Sequence, residues 1–187
     1  MRYLNIVVLL FIVSVVAMLS CKKWEDPAPS DDPRISNPYC NDPDAVNYNW
    51  GFPGTPDNTV CVYGPDLFAG NYKVHDTAYD IESGLYLAAD SSMVTIVKLS
   101  NLKARVDGLC PSGVSLFITA GGAWQATVDT TVGDSLSLSQ GQLFCRSVDT
   151  VTGYLTRDKI DSSLLYIDLT IRADSATTVH RAKAVKM

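Results

Sequence analysis

Leu165-Tyr166-Ile167-Asp168-Leu169-Thr170-Ile171-Arg172 decides the fold class. Leu165, Ile167, Leu169 and Ile171 alternate with Tyr166, Asp168, Thr170 and Arg172, and a period of two puts each set on its own face of a strand. The same alternation recurs upstream. Val114, Leu116, Ile118 and Ala120 alternate with Ser115, Phe117 and Thr119, and Trp124, Ala126 and Val128 with Gln125, Thr127 and Asp129. Leu136 and Leu138 oppose Ser135, Ser137 and Ser139, while Phe68, Gly70, Tyr72 and Val74 oppose Asn71, Lys73 and His75. Gly121-Gly122 and Gly133-Asp134 read as hairpin connections. No window from Leu67 onward carries a helical period, and among the acidic residues only Glu25 and Glu82 are not Asp, a skew toward turns. About eight half-buried strands predict an all-β fold, a small antiparallel meander closed into a barrel or folded as a sandwich. Phe68, Tyr72, Trp124, Leu136, Leu165 and Ile167 on the buried faces predict a filled interior.

The chain has 187 residues and a net charge of −5. No Lys/Arg cluster stands out to neutralise a phosphate backbone, so no nucleic-acid partner is expected. Ile6–Leu19 is an almost unbroken apolar run after Arg2, followed by Ser20, Cys21, Lys22 and Lys23. As a helix it would cover ~21 Å, short of a ~30 Å hydrocarbon core, which fits an export signal better than a membrane span. Met18-Leu19-Ser20-Cys21 resembles the lipobox of bacterial lipoproteins. That resemblance implies cleavage after residue 20, acylation of Cys21, and a lipoprotein of the outer membrane, on its periplasmic face or at the cell surface.

Residues 21–38 hold four prolines and few apolar side chains, so they are expected to be a lipid-anchored disordered tether. Four cysteines remain: Cys40, Cys61, Cys110 and Cys145. An even count in an exported chain reads as two disulfides with three possible pairings. Cys40–Cys61 and Cys110–Cys145 are favoured, because each pair then falls within one segment. Zinc is set aside, since no Cys-x-x-Cys spacing occurs.

Residues 39–65 are expected to form a small disulfide-bounded module, too short for a core without a staple. Cys40, Pro43, Ala45, Asn47, Tyr48, Asn49, Asp57, Cys61 and Tyr63 resemble a cysteine-bounded module of exported Bacteroidota proteins, which implies a lineage and an extracytoplasmic site. Asp42, Asp44, Asn47, Asn49 and Asp57 crowd this loop with oxygen donors and are a calcium candidate, with Asx-turns as the alternative use of the same atoms.

Phe68-Ala69-Gly70-Asn71-Tyr72-Lys73-Val74, Ser100-Asn101-Leu102 and Leu138-Ser139-Gln140 resemble short motifs of lipocalin-like domains in Bacteroidota lipoproteins. The resemblance implies a lipocalin-like β domain over 66–175, followed by a C-terminal tail at 176–187. Tyr72 stands where lipocalins carry Trp, and ligand transport does not follow from the fold.

His75 and His180 are the two histidines, His75 on the outward face of its strand and His180 in a polar C-terminal stretch. With neither a Gly-x-Ser-x-Gly elbow nor a His-Glu-x-x-His helix, no catalytic set is expected. Thr77, Thr130, Ser135, Thr150 and Ser175 each follow an Asp near an expected turn and resemble O-glycosylation acceptors of exported Bacteroidota proteins. The expectation is a non-enzymatic cell-envelope lipoprotein without cofactor, attached to the membrane by its lipid and acting as a binding or structural module. A lipocalin-like carrier of a small apolar ligand comes second, and needs a cavity of at least ~300 Å³. An extracellular hydrolase comes third.

Overall fold

The computed structural model describes residues 32–130, 141–174 and 176–187. Two short strands, β1 (Pro38–Tyr39) and β2 (Thr55–Pro56), precede a one-turn helix, α1 (Gly64–Phe68). The main sheet follows as β3 (Gly70–Asp80), β4 (Tyr86–Lys98), β5 (Lys103–Asp107), β6 (Leu116–Thr119) and β7 (Gln125–Val128). It continues through β8 (Gln142–Phe144), β9 (Arg146–Arg157), β10 (Leu164–Arg172) and β11 (Thr177–Lys186). Every pairing in this sheet is antiparallel. The order β3-β4-β5-β6-β7-β9-β10-β11 returns to β3, so the meander is an eight-stave closed barrel. β8 continues the stave of β7: Gln125 pairs Thr156 at one end of β9, and Gln142 pairs Val151 farther along the same edge. Closure is what the half-buried strands require, because a ring gives every inward face a common core and leaves few free edges.

Alternation directs the aliphatic side chains into the ring as expected, although one end of the interior is left unfilled. Leu165, Ile167 and Leu169 of β10 are buried, with Leu116 and Ile118 of β6 and Tyr72 and Val74 of β3. Each such side chain contributes roughly 1.5–3 kcal/mol by leaving water. Ile171 is only partly buried and packs on the rim of this core. Two expected core residues lie outside it: Val114 is 40% and Trp124 45% exposed. Val114 precedes the first paired residue of β6, and Trp124 sits at the barrel end, where its carbonyl accepts from Arg157 N and its ring lies 5.8 Å from the Arg157 guanidinium. Phe68 is fully buried but sits in α1 rather than on a strand. There Tyr72 Oη donates to Phe68 O at 2.8 Å. Gly64 lets α1 approach the barrel, since a Cβ at that position would lie 2.1 Å from Ala120 O. The helix closes the end at which β3 begins.

The expected tail at 176–187 is instead a full stave from Thr177, paired to β10 and β3 along its length. Its inward residues are Thr178, His180, Ala182 and Ala184, small or polar, while Val179 and Val185 face outward. The hydrophobic signal on this strand is therefore inverted, with its small and polar residues inward. β9 approaches β10 closely: a Cβ on Gly153 would meet Asp168 O at 2.1 Å.

Arg34–Met187 is one compact unit, so the segment before α1 does not stand apart from the barrel. Lys98 of β4 bonds the Asp66 carboxylate at 2.8 Å and lies 4.8 Å from the centre of the Tyr63 ring. Cys40–Cys61 staples this segment around a small core of Cys40, Ala45 and Tyr63. The expected tether is ordered at its end: Pro33–Ser36 forms a 3-10 turn and Pro38–Tyr39 pairs with Thr55–Pro56. Thr55 N donates to Asn37 O and Asp57 N to Tyr39 O, which gives that backbone fixed partners. The signal segment 1–20, Cys21, the rest of the tether, Leu136, Leu138 and the Leu138-Ser139-Gln140 motif lie outside the described residues.

Candidate ligand cavity at one end of the barrel

Opposite α1 the barrel is not filled to its rim. A cavity of about 170 Å³ lies beneath Ile167, Leu169 and Ile171 of β10, Phe144 of β8 and Ala182 of β11. Leu109 and Cys145 form another part of its wall. Cys145 is joined to Cys110, the pairing expected, and stands in the left-handed region at φ 57°. This bridge ties the end of β5 to the start of β9 across the rim. By chain-entropy arithmetic each of the two disulfides stabilises the fold by ~3–4 kcal/mol.

Asp76 and His180 are the polar residues of the wall. Asp76 faces inward because it follows Tyr72 and Val74 at period two, and His180 because it precedes Ala182 and Ala184. Asp76 pairs Ala182 in register and His180 pairs Ala78, so the two side chains meet diagonally. His180 Nδ1 donates to Asp76 Oδ2 at 2.6 Å, and His180 Nε2 lies 3.2 Å from Thr178 Oγ1. The carboxylate can only accept, so Nδ1 carries the proton of that bond, and the direction of the Nε2–Thr178 contact is set by the protonation of the ring. Asp76 Oδ1 is buried without a hydrogen-bond partner among the described residues.

Hydroxyl, imidazole and carboxylate in this order resemble the relay of a hydrolase. β11 is paired on both edges, so its N–H groups are consumed by the ladder and none is free beside Thr178 to stabilise an oxyanion. The arrangement can accept a hydrogen bond and hold a polar guest group.

His75 is exposed and contacts Ser91 Oγ at 2.7 Å on the outer surface. The histidine on the cavity is therefore the one placed by sequence in a tail. Spacing gives no signal for its meeting with Asp76, 104 residues away; only the alternation of Thr178, His180 and Ala182 could have shown its face. Three of the calcium candidates, Asp42, Asn47 and Asp57, spend their side-chain oxygens locally. Asp42 accepts from Asp44 N and Tyr63 Oη, Asn47 is bonded to Val60 O and Val62 N, and Asp57 accepts from Thr59. Asn49 takes a left-handed turn conformation at φ 59°. No group of three or more His, Cys, Asp or Glu converges on a metal position among the described residues. The Tyr63 phenol is pushed up, first by its hydrogen bond to Asp42 and then by burial, while the same bond lowers Asp42.

Of the glycosylation candidates, Thr130 is exposed in a bend. Thr77 and Thr150 instead lie within strands paired on both edges, so the expected turn placement is corrected for them. Ser135 and Ser175 lie outside the described residues.

No protein-family model matches this chain, and no curated protein matches it. Among solved structures it is similar to a redesigned beta barrel, with 15% identity over 66% of this chain and 95% of that one, at a TM-score of 0.40. The barrel assignment rests on the strand pairing itself. The class defined is an all-β, eight-stave antiparallel barrel with two disulfides.

Proposed function

We propose that this chain is a non-enzymatic envelope lipoprotein whose barrel is a binding module for a small molecule. The observation that carries the binding role is the cavity of about 170 Å³ under the apolar row of β10. An apolar cavity of ~150 Å³ holds a benzene-sized guest, whereas pockets for drug-sized ligands start near ~300 Å³. This favours a small guest over the larger apolar cargo of a carrier. Packing elsewhere in the ring supports the same choice, since Leu116, Ile118, Leu155 and Leu165 are at most 1% exposed. The anchor and the outer-membrane location rest on Ser20-Cys21 behind an apolar run of signal length.

Two measurements test the two halves. In the native host, Cys21→Ala should abolish fatty-acid labelling and leave the precursor uncut; labelling that persists rejects the anchor. A fragment screen by methyl NMR on the secreted barrel should find guests of about six to nine heavy atoms that shift Leu169 and Ile171. If long-chain fatty acids shift those methyls and small guests do not, the carrier reading replaces this one. A hydrolase is favoured by the Thr178–His180–Asp76 geometry alone. Turnover of an activated ester that disappears in Thr178→Val would establish it.

A further inference from the structure

From Ala45 to Pro56 the stapled segment carries no charged residue. This stretch leaves three aromatic side chains in water: Trp50 is 73%, Phe52 69% and Tyr48 44% exposed. Gly51, between the first two, lies against β1, where an added Cβ would come within 3.3 Å of Pro38 O and of Tyr39 Cβ. The Phe52 ring meets the Tyr39 ring edge-on at 5.8 Å. The loop is thus braced from behind while Trp50 and Phe52 remain uncovered. Clustered apolar side chains left in solvent mark a contact surface.

The backbone narrows the choice of what covers it. Asn49 N donates to Cys40 O, Trp50 N to Asn47 O, Phe52 N to Asn49 O and Thr55 N to Asn37 O, while Pro53 and Pro56 have no N–H. A loop whose donors are bonded or absent loses least on entering a medium without hydrogen-bonding groups. An extended peptide would find few free groups here to pair with. Chain length adds the place. Arg34, where the compact unit begins, comes thirteen positions after Cys21, so covalent geometry keeps it within ~45 Å of that residue. Thr55 Oγ1 donates to Ile35 O at 3.3 Å, which seats the loop beside this entry point. The exposed Leu85, Tyr86 and Leu87 differ in charge and in place. Asp80 and Glu82 stand among them, and they lie at the end of the eleven-residue β3 remote from α1.

We infer that the Tyr48–Phe52 loop is a second membrane contact, with Trp50 and Phe52 entering the headgroup–acyl boundary of the bilayer that holds Cys21. The inference rests on the anchor reading above and adds a surface to it. Aromatic rings with a polar tip suit that boundary. Tethering at Cys21 raises the local concentration of lipid around the loop, so a contact that is weak alone becomes occupied. An uncharged loop needs no anionic headgroups, and salt should leave the contact unchanged.

The test couples the chain from Cys21 to Met187 to vesicles of phosphatidylcholine and a maleimide-headgroup lipid. Cys21 is the cysteine not taken by the two disulfides, so the coupling does not depend on acylation by the host. Trp24→Phe and Trp124→Phe leave Trp50 as the fluorescent reporter. Acyl chains brominated near the headgroup should quench Trp50 at least twofold, equally at low and high salt. Phe52→Ser should at least halve that quenching, and Leu85→Ser should leave it unchanged. If Trp50 on coupled vesicles escapes the bromolipid and stays open to aqueous iodide, the inference is overturned, and the anchor reading is left to the Cys21→Ala labelling test. Quenching that disappears at high salt also overturns it, because headgroup charge would then hold the loop. A blue shift of Trp50 that grows with protein concentration without vesicles would show a second copy covering the loop instead of lipid. The measurement on the native loop decides between these outcomes even if Phe52→Ser does not fold.

Discussion

The side-chain amide of Gln142 completes the hydrogen bonding of the Phe117 backbone: its Oε1 accepts from Phe117 N at 2.8 Å and its Nε2 donates to Phe117 O at 3.0 Å. Nε2 also donates to Asp129 O at 3.0 Å. β7 pairs β6 at Ile118 with Val128 and Thr119 with Thr127, and Asp129 N still donates to Phe117 O at 2.9 Å, so what the ladder leaves open is the bond between Phe117 N and Asp129 O. One buried amide takes the place of a peptide group and ties β8 to β6 across the gap. Gln142 is only 3% exposed, and its burial is tolerable because both ends of the amide are bonded.

Gln142→Leu preserves volume and removes those bonds. The Phe117 N–H then has no partner, at ~1–3 kcal/mol per stranded group. Urea denaturation should show a loss of about 2–3 kcal/mol with an unchanged slope. A loss below ~0.5 kcal/mol would mean that water or a relaxed β7 replaces the amide.

Leu165→Ala should cost ~2–5 kcal/mol, since Leu165 is 1% exposed and its removal opens a void in the packed end of the ring. His75→Ala, on the outer face, should stay within ~0.5 kcal/mol. Comparable losses at the two positions would contradict the inward and outward assignment of the staves.

Acid stability follows from the carboxylates before and around the barrel. Burial pushes Asp66 up, but Lys98 and the Tyr63 N–H outweigh it, so the folded value lies below the usual carboxylate range. Asp42, Asp57, Asp80, Asp158 and Asp161 are lowered by hydrogen bonds from hydroxyls or backbone N–H groups. A depressed folded pKa stabilises the native state above the unfolded value of ~3.9, and that contribution is lost as pH falls through the folded values. These groups therefore give a stability that is flat above pH ~5 and falls below pH ~4. Asp66→Asn should lower stability at pH 7 and make the acid decline shallower. A decline as steep as in the native chain would remove Asp66 from the set.

Replacing Cys110 and Cys145 together by Ser should lower stability by ~3–4 kcal/mol and Tm with it. Methyls of Leu109 and Ile171, at the rim beside the bridge, should broaden more than those of Leu116 or Ile118. Uniform broadening would show that the bridge supports the whole ring rather than one end.

The sequence made β10 and β6 legible because aliphatic residues occupy alternate positions and polar ones the rest. It hid β11, where the inward residues are Thr178, His180, Ala182 and Ala184 and the outward ones include Val179 and Val185. Reading polarity alone assigns such a strand to a tail. With β11 went the partner of Asp76, because a diagonal contact between staves so distant in sequence leaves no spacing signature. The two disulfides were accessible by a simpler route, since each bridge stays within one segment. Trp124 misled for the opposite reason: it continues the alternation of Ala126 and Val128 but lies at the barrel end, beyond the packed core.

The seam between β3 and β11 joins residues about a hundred positions apart, from Asp80 with Thr178 to Tyr72 with Lys186. Folding rates fall as contacts become more distant in the chain, because the entropy of closing a long loop is spent before the contact forms. The β3–β4, β9–β10 and β10–β11 hairpins are local, and the seam, which closes the longest loop, is expected to form after them. Until it does, β3 and β11 each expose an unpaired edge, the state in which one copy can zip onto another. The slow step and the aggregation hazard of this chain therefore sit at the same place, and a chaperone acting on it has those two edges to shield.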